Sequence, residues 1–192
     1  MPDFPDCYIL RHGETEWNRD MRMQGRLDSP LTALGEQHAA AQGRIIAALG
    51  RTDLTWYCSP QGRAAATARI VAGPDLHITE DARLAEIDIG TWTGLTRDVI
   101  AAANPALFET DGLAWYDHAP EGEGLFALGA RTRAFLDTLT GPSVIVTHGI
   151  TSRVLRCHLR GLPIEAFEEV GGGQGMVHAV RGGVQTSLFE EG

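Results

Sequence analysis

Four basic side chains stand where segments of the chain end or turn: Arg11 and His12, then Arg63, then His148. Arg11-His12 closes the apolar run Cys7–Leu10, and His148 closes the run Ser143–Thr147. Arg63 falls in the first turn of an Ala-rich helical stretch, where the macrodipole disfavours a cation. An anion at the same place removes the conflict, because phosphate accepts from a guanidinium fork and also suits a helix N-terminus. Histidine adds a neutral nitrogen that can act as nucleophile or base near neutral pH. Arginine supplies a permanent charge whose planar donors match phosphate oxygens. Together the four residues point to a dianionic ligand such as phosphate.

Three distant segments can meet only if the fold brings them to one edge. Cys7–Leu10, Leu54–Cys58, Leu76–Thr79 and Ser143–Thr147 read as strands. Leu31–Leu49 reads as a helix capped by Thr32, with Glu36 in its first turn and Gly50 at its end. Leu34, His38, Ala41, Ile45, Ala48 and Leu49 form its expected apolar stripe. Ser59-Pro60 predicts an N-cap and first position for the next helix, which runs to Ala72 before Gly73-Pro74. Thr96–Ala103, Leu125–Leu139 and Gly149–Arg160 complete the helices, and residues 109–124 form a long loop beside the site. Val184–Phe189 pairs with Met176–Val180 across Gly182-Gly183 as a hairpin. Strands alternating with helices predict an α/β fold: a three-layer α/β/α sandwich around a mostly parallel sheet, with a C-terminal hairpin. Ligands in such sheets bind at the C-terminal strand ends. One domain spanning residues 1–192 is the simplest organisation.

The chain has 192 residues, and its 25 acidic against 16 basic side chains give a net charge of −9. All 16 basic residues are Arg. The missing Lys excludes Schiff-base chemistry and the P-loop. The acidity argues against nucleic acid as a partner. Cys7, Cys58 and Cys157 show no CxxC spacing, so neither a disulfide framework nor a zinc site is expected. Met1–Asp6 does not read as a signal peptide, and no apolar run approaches a membrane span. A cytoplasmic protein with no membrane partner is expected. Oligomeric state is left open, with a homodimer among the options.

The motifs resemble those of the histidine phosphatases, the phosphoglycerate mutase-like superfamily. Arg11-His12-Gly13-Glu14-Thr15 is followed by Trp17-Asn18, Gln24-Gly25, Asp28, Pro30-Leu31-Thr32 and Gly35. Ser59-Pro60-Gln61-Gly62-Arg63-Ala64, Thr67-Ala68, Leu84-Ala85-Glu86, Gly90, Trp92, Gly94 and Val146-Thr147-His148-Gly149 continue the series in family order. The resemblance implies that His12 is the nucleophile forming a phosphohistidine, and that Arg11, Arg63 and His148 bind the phosphoryl group. Glu86 would be the general acid and then base, with Asp88 as its rival. Asn18, Gln24 and Gly25 would line the pocket. No metal and no cofactor are implied. Gly124 stands where the family has Ser before a helix, which puts the cap of that helix in question.

Within the resemblance, a histidine acid phosphatase-type phosphomonoesterase acting on a small phosphate ester is favoured. A cofactor-dependent phosphoglycerate mutase is second, because mutases carry a longer basic segment that includes Lys. A non-catalytic phospholigand-binding protein is the reading from another class. A metal-dependent hydrolase lacks any HExxH-like spacing. His38 is expected at a core boundary, while His77, His158 and His178 have no partner at ligand spacing. His118, Trp115, Tyr116 and Phe108 either face substrate or pack the 109–124 loop.

Overall fold

Alternation along the apolar strands decides the layers. In the computed structural model, which describes residues 4–109 and 112–190, β1 (Cys7–Arg11) points Tyr8 and Leu10 to one face and Cys7 and Ile9 to the other. β4 (Ser143–Thr147) does the same with Val144 and Val146 against Ile145. One face is covered by α2 (Ala33–Ala48) and α3 (Gly62–Ala72) through Ile45, Ile46, Ala64, Ala65 and Ala68. The other is covered by α5 (Gly124–Leu136) and α6 (Gly149–Arg160) through Phe135, Leu136, Leu155 and Leu159. Period-2 strands buried on both faces are what a parallel sheet between helical layers requires.

The sheet has six strands in the order β3-β2-β4-β1-β5-β6, with β2 at Thr55–Cys58 and β3 at Thr79–Glu80. The first four run parallel, while β5 (Val177–Arg181) is antiparallel to β1 and pairs with β6 (Val184–Leu188) as a hairpin. Register matters most at β1 and β4, where Arg11 lies opposite Thr147. The next residues, His12 and His148, therefore leave neighbouring strands at the same edge. Short helices α1 (Glu16–Arg19) and α4 (Arg97–Ala103), with 3-10 turns at Ala82–Leu84, Gly90–Trp92, Pro105–Phe108 and Ala114–His118, build a cap over that edge. The cap packs around Ile87, Ile89, Trp92, Ile100 and Trp115. No helix among the described residues is long and apolar enough to cross a membrane. The expectations for Met1–Asp6 and for the 109–124 loop fall partly outside the described residues.

Four local expectations need correction. α3 begins at Gly62 with Gln61 as N-cap, not at Pro60. Ser59 is not available to cap it, because its hydroxyl meets His148 Nε2 at 2.8 Å and accepts the Gln61 N–H. β3 lies at residues 79–80, because only the C-terminal end of β2, at Tyr57 and Cys58, pairs with it. The regular part of α5 stops at Leu136, and Thr138 and Leu139 follow in single turns. The buried face of α2 is Gly35, Ala39, Gln42, Ile45 and Ile46, so Leu34 and Ala48 face outward. Backbone approach sets that face: an ideal Cβ on Gly35 would lie 2.0 Å from the Glu14 carbonyl oxygen, and one on Gly13 would lie 2.1 Å from the Gly35 oxygen. The helix meets the loop after β1 backbone to backbone, which only glycine permits.

Candidate active site

His12 leaves β1 with its N–H donating to the Thr147 carbonyl at 2.9 Å. Its Nδ1 lies 2.7 Å from the Gly13 oxygen, so that nitrogen carries the proton. Nε2 is left as an acceptor and takes the Arg63 Nε–H at 3.3 Å. Burial holds this imidazole well below its ordinary titration range, and the Arg11 and Arg63 charges push the same way. The backbone of Arg11 and His12 is held by amides from two other segments. Gln42 Nε2 donates to the Arg11 oxygen at 2.9 Å, and Gln174 Nε2 donates to the His12 oxygen at 3.0 Å.

Arg63 is fixed before any ligand arrives. It donates to the Leu27 oxygen at 2.7 Å, to Asp28 Oδ1 at 3.0 Å and to the Gly25 oxygen at 3.1 Å, and its side chain is 1% exposed. Asp28 also accepts the Arg63 backbone N–H at 3.2 Å, so the protein itself supplies an acidic partner suited to this helix start. His148 stacks obliquely near His12, with ring centroids 5.2 Å apart. Burial lowers its basicity far below the ordinary imidazole range, with Arg63, His12 and Arg11 adding to the effect.

Glu86 reaches the same edge from the loop after β3. Its Oε1 accepts from the Thr151 N–H at 3.1 Å and the Thr151 hydroxyl at 3.0 Å, and its Oε2 from the Ile150 N–H at 3.3 Å. These are first-turn donors of α6, which His148 does not cap, so Glu86 closes that helix from outside it. Arg131, paired with Glu123 at 2.8 Å, donates to the Glu86 carbonyl and holds the loop. Asp88 accepts from the Gly90 N–H and lies near Arg26, away from the cavity wall. The start of α5 takes its side-chain acceptor from Asp117, which receives the Leu125 N–H at 2.6 Å.

Arg11, His12, Arg63 and Glu86 line a cavity together with Asn18, Arg22, Met23, Gln24, Gly25, Ile87, Ile89 and Tyr116. Most of the predicted residues thus gather here, but His148 is fully buried beside His12 and does not line the cavity, and the others do not all act in the same way. Gln24 is spent internally, donating to Thr15 Oγ1 at 2.8 Å and accepting from Ser29 at 3.2 Å. Gly25 contributes its carbonyl to Arg63 and Gln61. Tyr116 reaches the cavity, while Trp115 is buried beneath it and Phe108 packs on Trp115. His118 and His77 are exposed, His158 faces the Gly129 oxygen at 3.0 Å, and His178 faces Ser187 at 3.1 Å. Arg22, Met23, Ile87, Ile89, Gln61 and Gln174 were not legible as site residues. Among the described residues, Arg11 Nε, His148 Nδ1, His38 Nδ1, Trp115 Nε1 and Gln42 Oε1 are buried without a hydrogen-bond partner, so His38 sits at the boundary but is not satisfied there. No group of three or more His, Cys, Asp and Glu among the described residues is placed to hold a metal ion.

This geometry can be set beside known proteins. A probable phosphoglycerate mutase, GpmB, of Enterobacter sp. (strain 638) is 37% identical over 168 residues, covering 83% of this chain and 76% of the relative. A solved mycobacterial glucosyl-3-phosphoglycerate phosphatase in complex with VO3 superposes with a TM-score of 0.79 at 28% identity, covering 98% of this chain and 100% of that one. A putative alpha-ribazole-5'-P phosphatase of Escherichia coli superposes with a TM-score of 0.80 at 25% identity, covering 98% and 97%. The model of the histidine phosphatase superfamily, branch 1, matches residues 7–185, and the chain belongs to that family.

Proposed function

We propose that this chain is a phosphomonoesterase that hydrolyses a small phosphorylated metabolite through a phosphohistidine on His12. The observation that carries the reading is a His12 Nε2 held free of a proton in a cavity that Arg11 and Arg63 line with it, with Arg11 Nε buried and without a partner. A buried polar group without a partner costs about 1–3 kcal/mol, and a phosphoryl group supplies an acceptor for it. His12 Nε2 attacks phosphorus in line, and the bond to the leaving oxygen breaks. Glu86 hands that oxygen a proton, then takes one from the water that attacks the phosphohistidine. Inorganic phosphate leaves and His12 is regenerated. Arg11 and Arg63 stay charged throughout and spread stabilisation over the equatorial oxygens. Such general acid-base transfer contributes about 10²–10⁴-fold. Asn18 lies in the cavity wall and would add a donor to phosphate, while Gln24 and Gly25 shape the wall and the Gly25 carbonyl holds Arg63. No step in this scheme needs a metal ion.

The second reading is a phosphoglycerate mutase, favoured by the name of the curated relative. The phosphatase names among the structural neighbours and the absence of Lys support hydrolysis instead. The test incubates wild type and His12→Ala with a panel of phosphomonoesters in chelator, traps acid-labile phosphoenzyme, and times phosphate release against isomerisation of phosphoglycerates. Phosphate release with label on His12 is expected. Isomerisation much faster than release would replace the reading with the mutase. Phosphate binding without turnover on any ester would leave a binding protein.

A further inference from the structure

The loop between α6 and β5 carries a side chain that the chemistry so far does not use. Val170 and Gly171 are pinned by Arg156, a fully buried guanidinium that donates to their carbonyl oxygens at 2.6 and 2.8 Å. At the other end, Gln42 donates to the Met176 oxygen at 3.0 Å. Between these clamps, Gly173 (φ 147°) and Gly175 (φ 73°) adopt left-handed backbone that brings Gln174 over the loop after β1.

The hydrogen bonds of Gln174 have a fixed direction. The His12 carbonyl can only accept, so the Gln174 nitrogen must face it, at 3.0 Å. The same nitrogen lies 3.4 Å from Asn18 Oδ1. The Thr15 N–H, which can only donate, lies 3.2 Å from that oxygen. Two donors therefore converge on one side of the Asn18 amide and hold its oxygen there. Asn18 lines the cavity, and with its oxygen engaged by these donors the NH₂ is the half of the amide left for a ligand.

We propose that Gln174 is a positioning residue that sets the polarity of the Asn18 amide, so that the cavity meets phosphate with N–H donors rather than a carbonyl oxygen. The inference rests on the phosphate-binding reading of the site, not on turnover. It assigns to the C-terminal loop a part in anion recognition, relayed from the carbonyl of His12 through one amide to another.

The decisive variant is Gln174→Glu, whose carboxylate cannot donate to the His12 oxygen and repels Asn18 Oδ1. Relief comes when the Asn18 amide turns round and presents its oxygen to the ligand. Gln174→Met keeps the length of the side chain but imposes no direction. Binding of inorganic phosphate is measured by calorimetry, alongside kcat and KM for p-nitrophenyl phosphate and thermal midpoints. The expected order of phosphate affinity is wild type, then Gln174→Met, then Gln174→Glu, with the last weakened at least about 10-fold, near 1.4 kcal/mol. In an Asn18→Ala background, Gln174→Glu should add less than about 2-fold, because the group it acts through is gone. Losses that multiply in the double variant would overturn the relay, as would wild-type phosphate affinity in Gln174→Glu. If Gln174→Glu fails to fold, the same cycle is read with Gln174→Met, where multiplying losses again reject the proposal. If wild type binds phosphate but turns over no ester, the hydrolytic reading fails and the relay is judged on phosphate affinity alone.

Discussion

Three buried neutral imidazoles give the fold a steep acid dependence that can be worked out in advance. His12 and His148 are held well below 6.5, first by burial and then by neighbouring arginines. His178 is lowered to about 4 by burial, with Arg156 and Arg153 pushing further. In each case the folded state binds its proton less readily than the unfolded chain. The stabilising contribution is therefore complete above the unfolded value of about 6.5 and is lost as pH falls towards the folded one. Between pH 6 and pH 5 an unfolded histidine is mostly protonated while His178, at about 4, stays mostly neutral. That alone costs roughly 1.2 kcal/mol over the unit, and His12, His148, His38 and His158, all lowered chiefly by burial, add in the same direction. For a chain of this size the His178 part is about 2–5 °C in Tm. The window lies above the carboxylate range, so acidic groups contribute little. Urea unfolding at the two pH values, without phosphate, measures the drop directly, and His178→Gln should reduce it by about 1.2 kcal/mol. A drop below about 1 kcal/mol, or one that His178→Gln leaves unchanged, would show that the folded protein takes up these protons and would refute the reasoning.

Two further substitutions probe how the site is held. Gly35→Ala places a methyl group about 2.0 Å from the Glu14 carbonyl, so backbone must move; the expected cost is about 3 kcal/mol, seen as a Tm lower by more than roughly 6 °C, and a loss under about 2 °C would contradict the close approach. Asp28→Asn removes the charge partner of Arg63 while sparing its bonds to the Leu27 and Gly25 carbonyls; stability should fall by about 1–2 kcal/mol in urea titrations and hydrolysis should slow, and no change in either would show that the Arg63 charge is balanced elsewhere.

The layers were legible because the signals were redundant. Cys7–Leu10 is apolar at every position and Ser143–Thr147 is apolar through Val144, Ile145 and Val146, which fits strands buried on both faces. Thr32 caps α2 as its sequence position suggested, accepting the Gly35 N–H at 3.0 Å. The stripe on α2 was misread because hydrophobicity is the wrong criterion where a helix packs by backbone approach. Gly35 and Gln42 face inward, the first to let Glu14 come close and the second to serve the Arg11 and Met176 carbonyls. Ser59 misled for a related reason. Its type announces a cap, but its hydroxyl has a partner 89 residues away in sequence, His148. Local propensity loses wherever a distant polar group makes the better offer.

The same distinction explains which parts of the site could be read. Arg63 announces itself because a cation in the first turn of a helix is locally unfavourable and needs a reason, and Arg11, His12 and His148 because they follow strands whose ends share one sheet edge. Gln42, Gln61, Asp28 and Gln174 give no such signal, since each is ordinary where it stands and acquires its role only through contacts 25 to 162 residues away. The net charge of −9 belongs to the same argument. Exposed carboxylates act weakly beyond about 8–10 Å in physiological salt, whereas Arg11 and Arg63 act in a buried pocket with their donors already aimed. Whether anions bind is decided by the few cations whose positions the fold prepays, and in this chain that preparation is done largely by neutral amides and backbone carbonyls. Composition could exclude the Lys-dependent chemistries, but it could not reveal a cationic pocket inside an acidic protein, because a pocket is a property of aim and not of sum.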